Sequence, residues 1–147
     1  EIGRDSSCWI VWDKCNGDTK WADCELAWTS FNTAVRKFAF MWNGMLQGKN
    51  IEEGWIMQGK KHLNEKRIHP TQKPVALYAW ILKNYAQPGW KLLDTHTGSA
   101  SSLIAFADAG YDYVAFEKDI GYYSESLHRL QEHRSQITLF DCGVERV

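Results

Sequence analysis

Proline is scarce in these 147 residues: Pro70, Pro74 and Pro88 are the three, and no two are adjacent. Cysteine is sparse and badly spaced for chemistry. Cys8, Cys15, Cys24 and Cys142 include no CxxC pair, so neither a disulfide framework nor a metal site is expected, and reduced thiols inside a cell are the simpler reading. Long apolar runs are missing too. Lys83, Asn84 and Asp108 interrupt the greasiest stretches, well short of the roughly 18 to 20 residues a bilayer span needs, so no membrane partner is expected. Nor is there a surplus of one charge: 17 Lys+Arg face 18 Asp+Glu, and bulk charge points to no partner. The segment Glu1 to Ser6 has none of the basic, apolar and small-residue parts of a signal peptide. Its first residue, Glu rather than Met, reads as a cut edge.

What is present is an apolar share of 44% and eight tryptophans, enough for one domain with a buried core. The near-neutral total conceals an asymmetry. From Arg36 to Lys73 eight basic residues face three acidic ones, a balance of +5, and the remainder carries −6. Within that span the stretch 43–67 mixes Gly44, Gly48, Gly54 and Gly59 with lysines and shows little periodicity, which predicts a basic loop. A phosphate backbone favours such a loop because each neutralised phosphate releases counterions; an ordinary solvated surface is the competing reading. Lys49, Lys60, Lys61, Lys66 and Arg67 are its candidate DNA contacts, with Trp42 and Trp55 as bordering rings on which bases could stack. Trp9, Trp28, Trp80 and Trp90 fall on predicted strands or an apolar helix face, where aromatic rings usually fill core.

The first strand is predicted at Trp9 to Trp12, apolar enough to be covered on both faces, the second at Cys24 to Thr29, and the third at Arg36 to Trp42, pairing with the second through residues 30–35. Asp13 and Lys14, at the first strand's end, are either ligand-facing or a surface ion pair. After Pro74 a helix with Leu77, Trp80, Ile81 and Tyr85 on one face is expected, with Thr71 able to cap it and Pro88-Gly89 ending it. Then comes a β-α-β unit: a strand at Trp90 to Asp94, a small-residue turn, a helix from Ala100 to Ala109, and a strand at Tyr113 to Glu117, the two strands parallel neighbours. A further helix, Tyr122 to His133, turns Tyr123, Leu127 and Leu130 inward.

The turn Asp94-Thr95-His96-Thr97-Gly98-Ser99-Ala100 has residues small enough for a ligand to approach its backbone amides. Glu117 ends the next strand 23 positions after Asp94, close to the spacing of about 20 at which an acid accepts ribose hydroxyls in dinucleotide-binding units. Asp94 would repel a pyrophosphate but suits a cationic amino group, which favours S-adenosylmethionine over a nicotinamide cofactor. The bland alternative is a tight turn and a solvated strand end.

His69-Pro70-Thr71-Gln72-Lys73-Pro74, the Asp94 to Ser99 turn, Phe116-Glu117-Lys118-Asp119 with Tyr122-Tyr123, and the upstream stretches from Trp9 to Lys14 and from Ala22 to Phe31 occur in the order of a known family. Together they resemble the permuted, beta-class DNA amino-methyltransferases, N6-adenine or N4-cytosine, of phage type, over nearly the whole chain. The resemblance implies an α/β fold with a Rossmann-like methyltransferase sheet lacking its amino-terminal strands, S-adenosylmethionine as cofactor and double-stranded DNA as substrate. It implies cofactor contacts at Thr71, Lys73, Asp94, Thr95, Gly98, Ser99, Ala100, Glu117 and Lys118, with Asp119 also bordering the adenine. Thr95, His96 and Ala100 depart from the family's usual Asp-Pro-Phe-x-Gly-Ser-Gly loop.

The family polarises the target amine with an Asp/Asn-Pro-Pro-aromatic tetrapeptide and holds the flipped base on an aromatic ring. No two prolines here are adjacent, so that tetrapeptide is absent and no catalytic residue is assigned. In the family its strand lies between those ending at Asp94 and Trp12, and its loss would leave both edges unpaired. The chain is therefore expected to be the carboxyl-terminal two-thirds of a methyltransferase, inactive alone, or to pair its edge by homodimerising. A noncatalytic cofactor- or DNA-binding remnant of a decayed phage gene is the alternative, and a nicotinamide-dependent oxidoreductase fragment a weaker third.

Overall fold

The structure, a computed structural model, describes residues 5–17, 19–43, 46–48 and 64–141. It divides into two compact units, Glu1–Glu65 and Lys66–Val147.

In the first unit β1 (Trp9–Asp13) is the middle strand of three. Antiparallel β2 (Cys24–Trp28) sets Trp9 opposite Trp28 and Asp13 opposite Cys24. On its other side β3 (Arg36–Ala39) runs parallel, with Trp12 opposite Phe38. The β-branched and aromatic residues of β1 suit a strand, but its burial alternates. Ile10 and Trp12 are buried, and Trp9 is 37% exposed, so the strand is covered on one face rather than two. The third strand also departs from expectation, pairing with β1 instead of β2. Phe38 is buried like Trp12, and the parallel register sets the two residues opposite each other on the core face. With both sides of β1 occupied, the edge expected to stand open there is closed.

The predicted strand from Arg36 to Trp42 breaks at Phe40, whose backbone faces β1: its N–H donates to the Asp13 carbonyl (3.0 Å) and its carbonyl accepts from the Trp12 indole (2.9 Å). Beyond the break β4 (Met41–Asn43) pairs antiparallel with β5 (Leu46–Gly48). The expected loop over 43–67 therefore begins as a hairpin. Gln47, buried, holds the segment's far end through both amide atoms, donating to the Glu65 carbonyl (3.0 Å) and accepting from the Glu65 N–H (2.8 Å).

The second unit contains α1 (Val75–Tyr85), β6 (Lys91–Asp94), α2 (Ser101–Asp108), β7 (Asp112–Ala115) and α3 (Ile120–Asp141). Strands β6 and β7 are parallel, Lys91 opposite Asp112 and Asp94 opposite Ala115, as the β-α-β pattern requires. The core gathers Leu82, Ala100, Leu103, Ile104, Ala105, Phe106 and Leu130, with Val75, Tyr78, Leu92, Tyr113 and Ala115 packed against it. Helix α1 thus presents the row Val75, Tyr78 and Leu82, and Trp80 stands edge-on to Tyr85 at 6.0 Å. Trp90 precedes β6 and is 46% exposed, outside the core expected to take it. On α3, Ser126 and Leu130 are buried while Tyr123 and Leu127 are exposed; the inward face is rotated from the one expected. Pro74 precedes α1 without any side-chain cap, so Thr71 does not serve as one. The opposite face of β6–β7 keeps Leu93 and Val114 exposed, unusual for parallel strands, which are normally covered on both faces.

Candidate functional site

The carboxyl ends of β6 and β7 lie side by side, and the turn leaving β6 is tied to the end of β7 at three points. Phe116 N–H donates to the Asp94 carbonyl (2.9 Å) and Thr97 N–H to the Phe116 carbonyl (3.0 Å). Gly98 N–H donates to Glu117 Oε2 at 2.7 Å, and the other carboxylate oxygen accepts from the Asp119 N–H at 2.9 Å. The Asp119 and Gly98 amides hold the Glu117 carboxyl below the ordinary glutamate range, because hydrogen bonds to the ionised form favour it. Glu117 is thus an ionised acceptor beside the turn.

Asp94 is also engaged. Its Oδ1 accepts from the His96 N–H (2.9 Å), and Oδ2 accepts from the Ser102 hydroxyl in the first turn of α2. The carboxylate thereby ties strand end to helix start, and a cationic group would meet an acid already fixed in orientation. Gly98 has φ +55°, and a Cβ there would touch the His69 ring at 3.7 Å. Ala100 sits at the α2 amino end with φ 61° and ψ 19°, a left-handed conformation, and is fully buried. Glycine tolerates that conformation better. Ala100, which stands where the familiar loop has glycine, thus holds a conformation open to glycine at no steric cost.

Ser99 and Thr97 are buried. Ser99 Oγ lies 3.1 Å from Ser101 Oγ. The exposed Thr95 hydroxyl is 2.9 Å from His96 Nδ1. In the His69 to Pro74 segment, His69 packs edge-on against Tyr122 with ring centres 4.2 Å apart, and its Nδ1 accepts from the Thr71 N–H at 3.3 Å, with the Thr71 hydroxyl at 3.1 Å. Lys73 Nζ donates to the Thr71 carbonyl (3.3 Å). Gln72 braces the segment from within, accepting from the Ile68 N–H (2.9 Å) and donating to the Lys66 carbonyl (3.1 Å). Asp119 caps α3, its Oδ1 accepting from the N–H groups of Gly121 and Tyr122, and Lys118 beside it is exposed.

Asp94, Thr95, Gly98, Ser99 and Ala100 thus share one turn, with Glu117 bonded to it from the end of β7. In the segment that carries Thr71 and Lys73, the His69 ring stands 3.7 Å from where a Gly98 Cβ would be. Sequence reasoning missed Ser102 and Arg129 as partners of the turn. A serine two residues into a helix after an acid-led turn carries some signal; an arginine midway along the last helix carries none. Asp13 and Lys14 pair with other residues rather than with each other, Asp13 with Lys37 at 3.0 Å and Lys14 with Glu25 at 2.8 Å.

Of the expected DNA contacts, Trp42 is buried at 7% exposure, which removes its ring from the surface platform predicted for it: it lies in the hairpin, not beside a loop. Lys66 and Arg67 are exposed. Lys49, Trp55, Lys60 and Lys61 lie outside the described residues. Among the described residues no cluster of His, Cys, Asp and Glu could hold a metal ion, and no helix is long and apolar enough to cross a membrane.

The family model described as DNA methylase matches residues 36–128, a span running from β3 into α3 and containing the whole turn and Glu117. A putative methylase, YubD, from Escherichia coli (strain K12) is 30% identical over 81 residues, which are 55% of this chain and 31% of that relative; the match thus spans about a third of the relative's length. With more than half of its residues in the family match, this chain belongs to the N6/N4 DNA methylase family.

Proposed function

We propose that this chain supplies the S-adenosylmethionine-binding part of a DNA amino-methyltransferase acting on the exocyclic amine of adenine, with cytosine as the second choice. The observation that carries the reading is the pairing of Gly98 N–H with an ionised Glu117 at the mouth of the β-α-β unit. The donor set suits the cofactor. Glu117 would accept the ribose hydroxyls, and Asp94 would face the ammonium of the methionine end. Thr71 and Lys73 flank the methionine end, and Thr95, Ser99, Ala100 and Lys118 complete the lining, Ser99 and Ala100 through backbone because their side chains are buried. When bound, the cofactor supplies an electrophilic methyl group on a sulfonium; this chain's residues bind and orient it.

The β6–β7 pair is read as part of a Rossmann-like methyltransferase sheet. Double-stranded DNA is the proposed substrate, held in part by exposed Lys66 and Arg67, in a cytoplasmic setting of a bacterium or phage-infected cell; restriction-modification is the matching biological role. The Pro-Pro tetrapeptide is absent from these 147 residues, which favours a second reading, a noncatalytic cofactor- or DNA-binding remnant of a phage methyltransferase. A homodimer pairing the β6 edge, which among the described strands has β7 alone as neighbour, is part of the same proposal.

Calorimetric titration of the chain with S-adenosylmethionine tests the cofactor reading. One saturable site is expected, weakened about tenfold or more by Glu117→Ala, since a charge-assisted hydrogen bond is lost. Identical curves for both proteins would remove it.

A further inference from the structure

The glycine turn is held from outside the β-α-β unit by one long side chain. Arg129, half-buried on α3, donates through Nη1 to the Ser99 carbonyl at 2.6 Å and to Ser101 Oγ at 2.9 Å. Its location is electrostatically odd. Ser99 and Ser101 flank the amino end of α2, where the helix dipole is positive and a cation is disfavoured. The offset comes from charge-assisted hydrogen bonds, and both acceptors belong to the turn. Ser99 immediately precedes Ala100, the residue held in the left-handed region. The peptide whose carbonyl Arg129 grips is therefore the one whose N–H is that of Ala100, itself bonded to the Thr97 carbonyl at 3.1 Å. The Ala100 carbonyl on the other side is held by the Ile104 N–H at 3.0 Å, so fixing the Ser99–Ala100 peptide plane as well restrains the backbone angles of Ala100, which an alanine would otherwise leave for more favourable ground. Glycine would need no such restraint at this position.

We propose that Arg129 is a positioning residue for the cofactor turn, clamping the Ser99–Ala100 peptide so that Ala100 keeps the backbone conformation glycine would adopt unaided. The assignment rests on the cofactor reading above. It concerns ligand affinity through geometry, without contact between Arg129 and the ligand.

The test is calorimetric titration of the full chain with S-adenosylmethionine, for the unaltered protein, Arg129→Met, Arg129→Lys and the double variant Arg129→Met with Ala100→Gly. Arg129→Met keeps the apolar stem and removes the donors, and Kd is expected to rise about tenfold with the number of sites unchanged. Arg129→Lys retains one donor and the charge and is expected within about threefold of the unaltered protein. The double variant should recover most of the loss, because glycine holds the turn without the clamp. A merely structural Arg129 would lower the number of competent sites at constant Kd and would not be rescued by Ala100→Gly. Arg129→Met binding as tightly as the unaltered protein, while Glu117→Ala binds weakly, would overturn the assignment and leave the cofactor reading standing. No binding by the unaltered protein would overturn both.

Discussion

Replacing Ala100 with glycine should cost this fold almost nothing, although the alanine is fully buried. Its φ of 61° and ψ of 19° place a Cβ where it crowds the backbone, at about 1 to 2 kcal/mol for an L-residue in the left-handed region. Ala100→Gly recovers that cost. Against it stand the larger conformational entropy of glycine in the unfolded chain, about 0.5 to 1 kcal/mol, and the loss of one buried methyl, about 0.8 kcal/mol. The terms cancel to within about 1 kcal/mol of zero. Ala105, 2% exposed and in the middle of α2, is the control. There glycine gains nothing from relieved strain, and helix propensity adds about 1 kcal/mol to the same methyl term, for a loss of about 2 kcal/mol. Urea unfolding followed by tryptophan fluorescence reads both as midpoint shifts at constant slope. Equal losses for the two variants would refute the left-handed placement of Ala100, and with it the turn geometry on which the site is built.

Gly98→Ala should destabilise by about 1 to 2 kcal/mol through its positive φ rather than through crowding, since the new Cβ would meet His69 at an ordinary 3.7 Å; shrinking His69 to alanine should not relieve it in a melting experiment. Gln72→Leu should cost about 2 to 3 kcal/mol, because it strips partners from the Ile68 N–H and the Lys66 carbonyl, and chemical denaturation measures it. Glu117, whose folded pKa is depressed, contributes fully above the ordinary glutamate pKa, and the contribution disappears as pH falls through the depressed value. Amide exchange at Gly98 should accelerate over that acidic window beyond its intrinsic pH dependence, and Glu117→Gln should abolish the excess.

The parts of the fold that were legible in the sequence are those fixed by local signals. The strand-turn-helix-strand order from β6 to β7 follows from an apolar run, a small-residue turn and a second apolar run within one short stretch, and the acid that matters ends that unit. Pairings across longer separations were not legible. Nothing in Arg36 to Ala39 says that it will lie parallel to β1, because the choice depends on which neighbour lets Phe38 share a face with Trp12. Tryptophan is a poor guide in both directions: Trp42, next to glycines and lysines in sequence, is buried within β4, and Trp90, next to leucines, is exposed before β6. Within the site, Asp94, Gly98 and Glu117 could be singled out by spacing. Arg129 could not, since its partners are a backbone carbonyl and a serine about thirty residues away in a turn whose shape the sequence does not display.

Whether the Asp94 to Ala100 turn and Glu117 form an S-adenosylmethionine site is read by amide chemical shifts recorded by NMR during titration of the chain with that cofactor. Saturable shifts are expected at Gly98, Ala100 and Asp119, the amides of the turn and those bonded to the Glu117 carboxylate, and they should be lost in Glu117→Ala. Shifts confined to the first unit, or none at cofactor concentrations well above the micromolar range, would contradict the cofactor reading.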